Sequence, residues 1–492
     1  MAAVAIRLRL AQMPDEGQKQ GVRLEQLMFD NRALESLPVD ITLRHGVSAE
    51  PIGSRDESKE STLCTYARHR IPRACYSLAR ATPVSRPQLA AASPYALALL
   101  DLAPAEAERP EFVNWFSGND TIRGARPAAH NYAGHQFGHF AGQLGDGACL
   151  YLGEVVVGQA VAGQPQQRWE LNLKGTGKTP YSRTADGRKT LRSSVREFLA
   201  CEAMHHLGIP SVRAAACMSS STAVVRDMFH TGENAEQRCG VVLRLAESFL
   251  RFGSFEIFTP TDPVTGQAGP SAGLEHQQVE IGLSGGRSAK FLPAMLKHVT
   301  LSHFATLEEH VQAQLEREGM AQEDVSGQAR AGYLRAEHLL REVVRRSARL
   351  VAMWHAVGFC HGLLNTDNMS LLGLTLDYGP YSFMETYDPL HCPCVTDDAK
   401  RYNFEAQRDV FKWNCMKLAE ALSPILPQEE GDTVVAVEFD PEYDRAWLRL
   451  FRQKLGLARI IALQVSFSSV LGLFFLYDRS LLMYDLDAST HP

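Results

Sequence analysis

Cysteine is scarce in this chain. Ten in 492 residues, without dense regular spacing, exclude a disulfide framework and point to a reducing compartment. Positive charge is not in excess either, and a net charge of −6 gives no overall attraction to nucleic acid or to an anionic membrane surface. Cys392-Pro393-Cys394 beside His391 is the one close cysteine set, and two matching ligands to complete a metal site are not evident elsewhere. Long runs that are both uncharged and apolar are nearly absent. The exception, residues 460–477, sits at the lower length bound for a membrane span and contains Gln464 and three serines. It fits a membrane helix, a core-covering helix or a divergent tail, the last being favoured. The N-terminus has two arginines and no acid before Asp15, a weak likeness to a transit peptide that is short and poor in serine.

What is present is the composition of a soluble globular protein, 45% hydrophobic and 22% charged. The chain is too long for one small domain and suits a two-lobed enzyme of roughly 300 residues with extensions. Residues 1–100 are rich in Arg, Pro and Ala, with short extended pieces between loops, and are expected to wrap a catalytic body. Residues 131–154 carry glycines at 134, 138, 142, 145 and 147 ahead of an apolar strand. Gly145 and Gly147 leave room for backbone N–H groups to approach a phosphate, although two glycines in a turn also mark a plain hairpin. His135 and His139 could share a helix face, but the flanking glycines argue against a metal pair.

In residues 168–174, RWELNLK, Trp169, Leu171 and Leu173 alternate with Glu170, Asn172 and Lys174, the pattern of a half-buried strand ending on a lysine. The following GTGKT is not a phosphate-binding P-loop, because Asn172 occupies the position where that motif needs its first glycine. After Asp186-Gly187-Arg188, Ser194-x-x-Glu197 fits a capping box. Val195, Phe198, Leu199, Ala203 and Leu207 are then the expected apolar face of the helix. Lys174 on a strand and Glu197 in the first turn of the next helix form the lysine–glutamate pair of a kinase-like lobe, unless Glu197 only caps its own helix. Arg244 and Arg251 stand in apolar surroundings around a predicted strand, where each needs an anion or a carboxylate partner. Residues 261–335 are expected to form a surface insertion and then helices. A strong amphipathic helix over 339–357, ended by Gly358, leads into a turn.

That turn, His361-Gly-Leu363-Leu-Asn-Thr-Asp367-Asn368, followed by Asp377-Tyr378-Gly379, is the densest chemical signal in the chain. Asn368 and Asp377 can share a divalent cation of the kind that carries nucleotide phosphates. The spacing matches the kinase pattern H-x-D-x-x-x-x-N and D-F-G, with Leu363 at the position of the usual catalytic aspartate.

HGLLNTDNMSLLGLTLDYGP resembles the signature of the selenoprotein O family, the YdiU-type protein adenylyltransferases, and the likeness runs from about Phe29 to about residue 457. The resemblance implies an α+β, protein-kinase-like two-lobed fold. Its parts would be an N-terminal extension (1–100), an N-lobe (101–245), a C-lobe (246–457) and a divergent, shortened C-terminal tail (458–492). It implies transfer of AMP from ATP to Ser, Thr or Tyr hydroxyls of protein substrates. Gly145, Gly147, Lys174, Asp186, Gly187, Arg244 and Arg251 would seat ATP in reversed orientation, and Glu197 would position Lys174. Asn368 and Asp377 would hold Mg²⁺ or Mn²⁺, and Asp367 would act as base. Bacterial relatives generally carry Arg after the second glycine, where this chain has Ala148, so that contact is missing. Eukaryotic members are mitochondrial, and the same place is expected here, otherwise the cytoplasm. No nucleic acid or membrane partner is expected, and a monomer is. Two other readings stand beside this one: a phosphotransferase, against which Leu363 argues, and a silent nucleotide-binding scaffold, which Ala148 and the tail keep open.

Overall fold

The computed structural model describes residues 21–40, 70–158, 166–227, 231–283, 285–322 and 324–457. The first residues of the chain and the uncharged run at 460–477 lie outside the described residues, so the expectations placed on them are not addressed by the fold.

The chain is α+β. Its largest sheet is built on five strands: β1 (Gln88–Ala92), β2 (Cys149–Val157), β3 (Gln167–Lys174), β4 (Arg213–Asp227) and β5 (Asn234–Ala246). Their order is β2-β3-β5-β4-β1, antiparallel throughout. Beyond β2 the sheet continues through Ala128–His130 and Tyr76–Leu78 to Val39–Asp40, where one parallel pair makes it mixed.

Side-chain alternation decides what each face does. Leu150, Leu152, Leu171, Leu173, Val241, Leu243 and Leu245 point into an outer core closed by Leu97, Leu100, Phe112 and Phe116. The intervening Glu170, Asn172, Lys174 and Arg244 face the other way, toward the functional site, so the period-two pattern expected of residues 168–174 is present. The segment from Leu24 to Leu37 serves both sides. Leu24 and Leu27 join the outer core, Met28–Phe29 pairs with β2, and Ala33, Leu34 and Leu37 enter the main core.

On the site face lies α1 (Leu191–His206). Two expectations are corrected here. The helix is capped by Thr190, which accepts from the Ser193 N–H at 3.3 Å, so Ser194 and Glu197 lie inside it and form no capping box. The buried face is also not the expected one: Ser194, Glu197, Phe198, Cys201 and Met204 are buried, whereas Val195, Leu199 and Leu207 are exposed.

The second half is helical: α2 (Phe291–His303), α3 (Ala305–Arg317), α4 (Val325–Ala356), α5 (Gln407–Leu422) and α6 (Gln428–Lys454). The amphipathic helix expected over 339–357 is the later part of α4, which begins fourteen residues earlier because the pattern of buried residues runs back through Leu334 and Ala331 to Gly327. It ends where Gly358 takes φ 68°, a conformation that delivers the chain to His361. The nine cysteines among the described residues are all free thiols, so no disulfide ties these parts together.

Candidate active site

Strand register places the basic side chains. Lys174, at the end of β3, lies between Cys149 of β2 and Val242 of β5, and Arg244 lies beside Asn172 two pairs further on, on the same face. Opposite them α1 presents Glu197, wholly buried. Lys174 Nζ reaches both Glu197 oxygens, at 3.1 and 3.2 Å, Lys189 Nζ is at 2.9 Å and Arg244 Nη1 at 3.1 Å. Glu197 therefore does not cap its own helix. It is the shared anion of three cations, and breaking a buried pair of this kind costs about 3–5 kcal/mol. Burial pushes the Glu197 carboxyl upward, but Lys174, Lys189 and Arg244 outweigh it and hold it below the usual range.

The loop after α4 brings the next group. His361 is buried, its ring stacked on Trp354 with centroids 5.2 Å apart, its Nδ1 accepting from the Leu363 N–H at 3.3 Å. It shapes the turn. Beyond it, Thr366–Asn368 forms a single tight turn, and an antiparallel bridge between Met369 and Thr375 folds the chain back. Asn368 and Asp377 lie just outside the two ends of that bridge. Asp377 accepts a short hydrogen bond from Lys174 and lies 3.9 Å from Arg244. Burial raises its carboxyl, yet Lys174, Arg244 and Lys189 drive it far below the ordinary carboxylate range. Asn368 donates its amide N–H to the Leu363 carbonyl at 3.0 Å, leaving its side-chain oxygen without a donor among the described residues. One carboxylate and one free amide oxygen are hard ligands that suit Mg²⁺ completed by phosphate oxygens and water.

Asp367 lives in a different setting. Burial raises its carboxyl to about 6, against the opposing pull of Arg251 and Gln136. Arg251 donates to the Asp367 main-chain oxygen at 3.0 Å, sits 4.3 Å from the centre of the Tyr132 ring and lies 3.6 Å from the buried Asp146. Gln136 Nε2 donates to the Asp367 carboxylate at 3.3 Å.

The glycine-rich stretch is neither a helix nor a plain hairpin between Gly145 and Gly147. Ala133–Gln136 and His139–Gln143 pair with each other, so residues 144–148 are a connection to β2. A Cβ on Gly145 would lie 2.3 Å from the Tyr181 ring, which makes its glycine a packing requirement. Gly147 gives its carbonyl to Ser182, and Thr179 Oγ1 bonds the Asp146 carbonyl at 2.6 Å. His135, buried, meets Glu256 at 2.6 Å, and His139 is exposed.

Asp186 and Gly187 stand apart from this cluster. Asp186 is clamped by Arg226 at 2.7 Å and accepts from the Arg188 N–H, while Gly187 gives its carbonyl to Gly177 N–H. Lys189 and Gln136 are contacts that sequence reasoning missed. Lys189 lies next to an Asp-Gly-Arg turn and Gln136 in a glycine run, and neither signal separates them from their neighbours.

Among the described residues no helix is long and apolar enough to cross a membrane. Residues 65–475 match the family model described as "Protein adenylyltransferase SelO". The chain is 46% identical over 439 residues to the human "Protein adenylyltransferase SelO, mitochondrial", covering 89% of this chain and 58% of that one. The mouse protein of the same description is 47% identical, again with 89% and 58% covered. A "Protein nucleotidyltransferase YdiU" from Aromatoleum aromaticum is 40% identical, covering 88% and 70%. The chain thus spans somewhat more than half the length of its human and mouse relatives. With a match to the family model across most of its length and the cation-and-carboxylate cluster assembled inside that match, this chain belongs to the SelO protein adenylyltransferase family.

Proposed function

We propose that the chain is a protein adenylyltransferase that moves AMP from ATP to Ser, Thr or Tyr hydroxyls of proteins. The observation that carries this reading is the gathering of Lys174, Arg244 and Asp377 around Glu197, with Arg251 and Asp367 beside them and Leu363 where a kinase keeps its base. On this reading the sheet-bearing residues 101–245 and the helical residues 246–457 are the two lobes of a kinase-like fold, with residues 1–100 its N-terminal extension. The names of the human and mouse relatives support a mitochondrial location, and we take the active form to be a monomer.

Lys174, Arg244 and Arg251 neutralise the triphosphate, and Glu197 fixes the position of Lys174. Gly145 and Gly147 would border the nucleotide's seat, and Asp186 and Gly187 would close it from the separate turn on which they stand. Asn368 and Asp377 would hold Mg²⁺ or Mn²⁺, which spreads phosphate charge when bound. Asp367 receives the proton of the acceptor hydroxyl as its oxygen bonds to the α-phosphorus. The bond from that phosphorus to the α–β bridging oxygen breaks, and pyrophosphate leaves with the electron pair.

Parallel incubations with α-labelled and γ-labelled ATP test the reading. Label retained in protein from the α position alone is expected; label from the γ position alone would replace adenylyl transfer with phosphoryl transfer, with Asp367 standing in for the missing kinase base.

A further inference from the structure

The hairpin Ala133–Gln143 is held against the turn of Asp367 more closely than packing alone demands. A Cβ on Gly134 would lie 3.0 Å from Thr366 Oγ1 and 3.2 Å from Leu144, so a larger residue here would have to push those side chains back by a few tenths of an ångström. The next residue, His135, donates its backbone N–H to Thr366 Oγ1 at 2.7 Å and anchors its ring on Glu256. At the tip, Phe137 and Gly138 take φ 52° and 87°, the two-residue hairpin turn that needs positive φ at both positions. For phenylalanine that conformation costs of order 1–2 kcal/mol. It is maintained by the Phe137 N–H, which donates to Tyr402 Oη at 2.7 Å and to Asn365 Oδ1 at 3.3 Å, while Tyr402 bonds Asn365 at 2.7 Å. Pinned through His135 and Phe137 to Thr366 and Asn365, the two residues before Asp367, the turn leaves the Gln136 amide 3.3 Å from the Asp367 carboxylate.

We propose that Gln136 is the positioning residue of Asp367: its amide N–H holds the carboxylate at the angle from which it takes the acceptor's proton. Among the described residues it is the sole side-chain donor to that carboxylate, since Arg251 spends its hydrogen bond on the main-chain oxygen of Asp367. Arg251 and Glu256 contribute charge nearby, but neither orients the carboxyl oxygens. This inference rests on the reading of Asp367 as the base and adds the group that aims it.

A double-mutant cycle tests it in the full-length chain. Gln136→Ala is expected to lower kcat for label transfer about 10- to 100-fold, the scale of an angstrom-level misplacement. KM for ATP and the thermal shift produced by a non-hydrolysable ATP analogue should stay within about twofold. Gln136→Glu keeps the shape and removes the donor at pH 8, so it should lose at least as much. In the Asp367→Asn background Gln136→Ala should add less than about a twofold loss, because the two residues act as one unit. An equal loss in both backgrounds, or a Gln136→Glu variant as fast as wild type, overturns the proposal. Wild-type transfer of γ label would sink adenylyl transfer alone; the cycle would then be read on that label.

Discussion

Asp377 and Asp367 lie ten positions apart on one loop, and their surroundings push them in opposite directions. Around Asp377 the sheet has delivered Lys174, Arg244 and Lys189, and the carboxylate is locked in its charged form. Around Asp367 there is a buried wall, one arginine turned to the main chain and a single amide donor, and the carboxyl rises to about 6. Two identical side chains thus become a permanent anion and a group able to accept a proton. The division follows from which elements approach each one: strand ends with cations for Asp377, a glycine hairpin without any for Asp367.

The harshest way to break the contrast is to delete its charged half. Asp377→Ala should reduce label transfer at least about 1,000-fold, through loss of the metal ligand and of the anion facing Lys174 and Arg244. It should also abolish the Mg²⁺-dependent part of the ATP thermal shift; full activity in this variant would remove Asp377 from the proposed metal site. Asp367→Asn, by comparison, should cost about 100- to 1,000-fold in kcat while ATP still stabilises the protein as in wild type. If the two variants lose ATP binding alike, the two carboxylates do not have separate duties.

A finer test alters what the cations share. Glu197→Gln strands Lys174, Lys189 and Arg244 around a neutral amide, and a loss of about 3 kcal/mol in urea unfolding is expected. KM for ATP should change more than kcat. An unchanged urea midpoint would mean that the cations find other partners.

The smallest effect sets the range in which the comparison can be made. Burial lowers His298 to about 3 and His355 to about 4. His355 is bonded on both nitrogens, to Tyr443 at 2.7 Å and to the Phe404 carbonyl at 2.8 Å. Both are neutral in the fold and take up protons near 6.5 when unfolded, so their contribution is complete above that pH and is lost progressively as pH falls toward 4. Melting temperature should drop by a few degrees between pH 7 and 5, and less in His355→Gln.

Much of this contrast was legible in the sequence. Alternation in RWELNLK put Lys174 on the site face, and the spacing of His361, Asn368 and Asp377 identified the loop. Pairing of Lys174 with Glu197 followed, but for an incomplete reason. Thr190 and Ser194 both satisfy helix-cap chemistry, and only tertiary packing chooses Thr190; packing also turns Leu199 outward and Glu197 inward. Lys189 escaped notice because the Lys174–Glu197 pair already looked complete. Gln136 could not be found, since its importance arises from Thr366 and Asn365, more than two hundred positions away. Asp186 shows the reverse: a motif residue whose visible partner, Arg226, lies across a separate hairpin.

The short stretch from Leu24 to Leu37 carries a consequence beyond covering the sheet. By placing leucines in the outer core, a strand on β2 and more leucine in the main core, it acts as a rivet through the edge of the sheet. Neither hydrophobic layer can loosen without pulling on the other. The two cores are therefore expected to melt in one cooperative step.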